Sequence, residues 1–166
     1  EQSKRLYSQY DDRFDEGAAI ERNFTLTLDL FSKVYAHDFG ETAYVKAPLF
    51  YSTFLALYHM NFPIGVLGES YHPFDEKSIP KIRTALDEID RIACTPIEEL
   101  LCENEAFAIT LKKNTTTPDV RIRRCKYIVN SLKGIGIDAN DLDGIFITHT
   151  HVDHVKGLKV FLNKFD

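Results

Sequence analysis

A single change of period divides this sequence. Up to about residue 134, apolar side chains recur every three or four positions. Further on, Gly144-Ile145-Phe146-Ile147-Thr148 is a continuous apolar, β-branched run bounded by turn residues. The first spacing suits amphipathic helices and the second a short buried strand. The chain is therefore expected to be mainly α over residues 1–134. A short β-loop-α piece follows over 135–166, with the boundary near Gly134 to Asp138.

Five helices account for the first part. From Glu16, Ile20, Phe24, Leu28, Phe31 and Tyr35 form one helical face that stops before Gly40. Pro48 opens a second helix, with Leu49, Phe50, Phe54, Leu57 and Tyr58. It is apolar nearly all round and is expected at the centre. Asn61 to Phe74, with two prolines and two glycines, reads as a loop. Ser78 and Pro80 start a third helix that turns Ile82, Leu86, Ile89 and Ala93 inward. Thr95, Pro96 and Glu98 suggest a capping-box start for a fourth, carrying Ile97, Leu100 and Leu101. Asn114 to Thr117 is a polar break. Pro118 opens a fifth with Ile122, Cys125, Val129 and Leu132 inside, stopped by Gly134 and Gly136.

The chain of 166 residues is long enough for one domain or two small ones, and at 44% hydrophobic and 27% charged it can bury a core. Its net charge of −5 argues against an all-over nucleic-acid-binding coat but leaves room for a local basic face. Cys94, Cys102 and Cys125 are odd in number and lack CxxC spacing, so small buried thiols in a reducing cytoplasm are expected, not a disulfide framework. No apolar run reaches the ~18 residues of a membrane span, and no signal-peptide core is present, so no membrane partner is expected. The first residue is Glu1, not Met, which suggests that sequence precedes it. No P-loop, Rossmann glycine string or GxSxG elbow occurs.

The densest chemistry lies in Thr148-His149-Thr150-His151-Val152-Asp153-His154. Alternate residues of an extended segment point the same way, so His149 and His151 can approach one cation. Asp153 and His154, turning into the following helix, can face a second. Imidazole and carboxylate suit Zn²⁺, Mn²⁺ or iron. Two such ions can activate a bridging water for hydrolysis. The alternative is a polar loop with chance histidines. His37, His59 and His72 are isolated and read as loop or helix-end residues.

This string and its flanks, Leu132 to Ile137, Asp141 to Thr148 and Asp153 to Leu158, resemble the metallo-β-lactamase superfamily, in particular its WalJ (YycJ)-like nuclease branch. The resemblance spans about residues 126–166. It implies a piece of an αββα fold, with His149 and His151 on one zinc or manganese ion and Asp153 and His154 on the other. Asp153 would also orient the attacking water as the catalytic residue. A nucleic-acid phosphodiester would be the substrate. The superfamily's further ligands lie downstream of where this chain ends, so the piece is expected to be truncated and to hold at most one ion loosely.

Ala47 to Tyr58, Ala85 to Asp90 and Thr115 to Arg124 resemble the C-terminal helical half of GmrSD-type restriction proteins. That resemblance implies a second reading: a non-catalytic DNA- or protein-binding module of a defence protein. Oligomeric state is left open by both. Between Lys112 and Lys133, seven basic residues stand against one acid, Asp119. Arg121, Arg123, Arg124 and Lys126 could contact phosphates. The plainer reading is a solvated helix side, or a surface paired with Glu98, Glu99, Glu103 and Glu105, since a charge run is usually a wet face.

Overall fold

The computed structural model describes residues 17–68 and 73–133. The chain divides into two units, Glu1–Gly136 and Ile137–Asp166, and every described residue lies in the first. The strand and loop expected over 135–166 lie outside the described residues.

Five α-helices form a mainly helical bundle, and no strand occurs among the described residues. They are α1 (Gly17–Val34), α2 (Ala47–Asn61), α3 (Ile79–Cys94), α4 (Cys102–Lys112) and α5 (Pro118–Leu132). Short 3₁₀ turns join several of them. No described helix is long and apolar enough to cross a membrane.

The connections show why the helices start and stop where they do. After α1, Thr42 accepts from the Tyr44 N–H and caps the turn Ala43–Val45. From α3, the Asp90 carboxylate accepts the Ala43 N–H at 2.6 Å. Pro48 sits in the first turn of α2, where a missing N–H costs nothing. At the other end of α2, buried His59 accepts the Ile64 N–H on Nδ1 at 2.9 Å, which folds the chain back. Gly68 has φ +96°, a conformation that only glycine adopts without strain. Asp75 and Ser78 make a reciprocal capping box ahead of α3. Asn114, with φ +50°, takes the left-handed position just past the end of α4.

α2 is the central helix, packed along α5 and α1, and α3 closes the bundle against α1, α4 and α5. Phe31 stands at the middle of an aromatic cluster, with the rings of Tyr35, Phe39, Tyr44 and Phe50 between 5.4 and 5.8 Å away. Most of these pairs meet edge to face, as ring quadrupoles favour. Tyr44 is fully buried, and its hydroxyl donates to the Leu86 carbonyl at 2.8 Å. On the far side Phe107 stacks on Tyr127 at 4.2 Å. Arg83 ties the bundle at its surface. It donates to the carbonyl of Val34 and to Asp38 and Asp87, and lies over the Tyr35 ring at 4.3 Å.

Two expectations need correction. The fourth helix does not start at Thr95. That residue closes α3 instead: its N–H and hydroxyl both donate to the Arg91 carbonyl. Ile97–Glu99 is only a 3₁₀ turn, Leu101 is 80% exposed, and α4 begins at Cys102. In α3, Ile82, Leu86 and Ile89 are buried and Ala93 packs against the core as expected, joined by buried Ile92. Of the cysteines, Cys125 is buried while Cys94 and Cys102 are exposed. The first half of α1 is uncovered: Ile20 and Phe24 are 43% and 47% exposed, and burial begins only at Thr27 and Phe31.

Candidate functional site

His149, His151, Asp153 and His154, including the catalytic role expected of Asp153, lie outside the described residues, as does His72. The other predicted site residues, Arg121, Arg123, Arg124 and Lys126, all stand on α5, and the helix separates them.

Arg124 is 1% exposed. Its Nε donates to the Ser52 hydroxyl at 2.6 Å, one terminal nitrogen donates to the Thr110 carbonyl at 2.6 Å, and the other reaches the Thr115 carbonyl at 3.2 Å. Burial pulls its pKa below the usual arginine value, because desolvation disfavours the cation. The three acceptors are uncharged, and their lone pairs take the place of water. Arg124 thus fastens α5 to α2, to the end of α4 and to the loop between α4 and α5. It cannot present its charge to a phosphate, so the expectation that it binds nucleic acid is corrected.

Its neighbours differ. Arg123 and Lys126 are exposed, as are Lys112 and Lys113. The Arg121 guanidinium lies 5.9 Å from the centre of the Tyr51 ring, at the outer limit of a cation–π contact. These two side chains, with Ile64, Val66 and Ile122, border a shallow groove of about 230 Å³ that has Cys125 in its lining. Burial pushes the Cys125 thiol above its usual pKa, which makes it a poor nucleophile. A second groove, lined by aromatic side chains and Leu55, runs between Phe24 and the Tyr51, Phe54 and Tyr58 side of α2. Among the described residues, no group of three or more His, Cys, Asp or Glu could hold a metal ion.

Sequence reading missed Ser52, Thr110 and Thr115 as the partners of Arg124. One signal did exist: Val120, Arg124 and Ile128 are spaced four apart, so the arginine continues an apolar row. Residues on one row of a helix share its environment, and Val120 and Ile128 are both buried.

No curated protein and no solved structure matches the chain. One family model does: Anti-Pycsar protein Apyc1, over residues 122–165. The match starts on α5 and takes in the whole string from His149 to His154. It is to neither family that the sequence was seen to resemble. The assignments to the WalJ-like nuclease branch and to the GmrSD-type restriction proteins are therefore corrected. The nuclease and restriction-module functions go with them. The metallo-β-lactamase, hydrolase and metal-binding descriptions are corrected with them. The described residues form helices and 3₁₀ turns joined by loops, with no strand among them. What the chain is similar to, from the second residue of the Arg121-Ile122-Arg123 turn to Phe165, is an anti-Pycsar protein.

Proposed function

We propose that this chain counteracts a Pycsar defence system and that its active segment is the one beginning on α5. The observation that supports this is the family match over residues 122–165. All the histidines and the one aspartate of that segment's second half fall between His149 and His154. The helical unit supplies the platform on which the segment starts. The first three turns of the matched stretch are helix α5, held by Arg124 and by the buried row Cys125, Ile128, Val129 and Leu132. The site of action is the cytoplasm. That placement fits three free cysteines, of which two are exposed, in a compartment that keeps thiols reduced.

The test is functional. The chain is expressed in cells protected by an active Pycsar system, and the survival of challenged cells is measured. Loss of that protection is expected, together with its return when His151→Ala or Asp153→Ala is introduced. Protection that persists while the chain accumulates as folded, helical protein would overturn the proposal.

A further inference from the structure

We draw no further inference here: the strongest candidate, the uncovered apolar face of Ile20, Phe24 and Leu28 on α1 beside the groove at Tyr51 and Tyr58 of α2, carries nothing because nothing in the structure shows what covers it.

Discussion

Helices α1 and α5 read alike as sequence and fare differently in the fold. The stripe of α1, Ile20 to Tyr35, is apolar throughout, yet Ile20, Phe24 and Leu28 stand open to solvent. The stripe of α5 is interrupted by an arginine, yet Val120, Arg124, Cys125, Ile128, Val129 and Leu132 are all buried. The difference lies in the neighbours. α5 runs along α2 and is backed by α4. The first half of α1 meets the aromatic side of α2 through Phe24, whose ring centre is 4.7 Å from that of Phe54. Periodicity thus says which face of a helix is apolar, and the rest of the chain decides whether that face is covered.

The sharpest way to break the comparison is a pair of truncations on α1. Phe31 is 4% exposed and central to the aromatic cluster. Phe31→Ala should cost about 3–5 kcal/mol, the usual range for a core aromatic. Phe24→Ala should cost no more than about 1 kcal/mol, since it loses mainly an aromatic pair. Urea-denaturation midpoints of the two variants measure the gap. Equal losses would mean that the two halves of α1 are not distinct.

On α5 the corresponding pair is Arg124 and Arg123. Arg124→Ala leaves the Thr110 and Thr115 carbonyls without their donor and opens a cavity. A loss of about 2–4 kcal/mol is expected, because an unsatisfied buried acceptor costs about 1–3 kcal/mol. Arg124→Lys should recover little, since one ammonium cannot reach three acceptors spread around a guanidinium. Arg123→Gln should leave the denaturation midpoint unchanged. A mild Arg124→Ala variant would show that the buried arginine is incidental to the bundle.

These pairs also mark how far the sequence could be read. The helices over 17–34, 47–61, 79–94 and 118–132 follow from spacing, Pro48, Pro80 and Pro118, and a few caps. These are local signals, and the helices form where they point. Thr95 misled because a threonine before a proline is as good a helix stop as a helix start. Only its bond to the Arg91 carbonyl distinguishes the two. Arg124 misled for a different reason. A positive charge in a basic run reads as surface, and its three acceptors are 72, 14 and 9 residues away. Such partners are a property of the tertiary fold. The string from His149 to His154 lies outside the described residues, and the nuclease family read from it and its flanks is overturned by the match over residues 122–165.

A smaller effect concerns why the second half of α1 is the anchored half. Arg83 donates to the Val34 carbonyl at 3.0 Å and pairs with Asp38 just beyond the helix. The Arg83 side chain holds the Asp38 carboxyl below its ordinary pKa, chiefly through their hydrogen bond. A carboxylate with a lowered folded pKa stabilises the fold above its unfolded pKa, and that contribution is lost as pH falls through the lowered value. Asp38→Asn should therefore flatten the acid limb of a stability-against-pH curve, with little change near neutrality beyond a constant offset. An acid limb of unchanged slope would show that the pair does not secure this end of α1.

The smallest effect is the most informative about coverage. Ile20→Ser exchanges two residues of similar helix propensity, so any change in stability reports how much of the Ile20 side chain leaves water on folding. With Ile20 at 43% exposure, the change should stay within about 0.5 kcal/mol, the usual range for a surface position. A fully covered isoleucine would instead cost several times that, since burying such a side chain contributes about 1.5–3 kcal/mol. The measurement is best made at two protein concentrations a hundredfold apart. A small, concentration-independent change would leave the first half of α1 as the open face described above. A loss near 2 kcal/mol at both concentrations would mean that another part of the same chain covers Ile20. A loss that grows with concentration would mean that a second copy does. In either of the last two cases the contrast between α1 and α5 would disappear, because both stripes would then be buried.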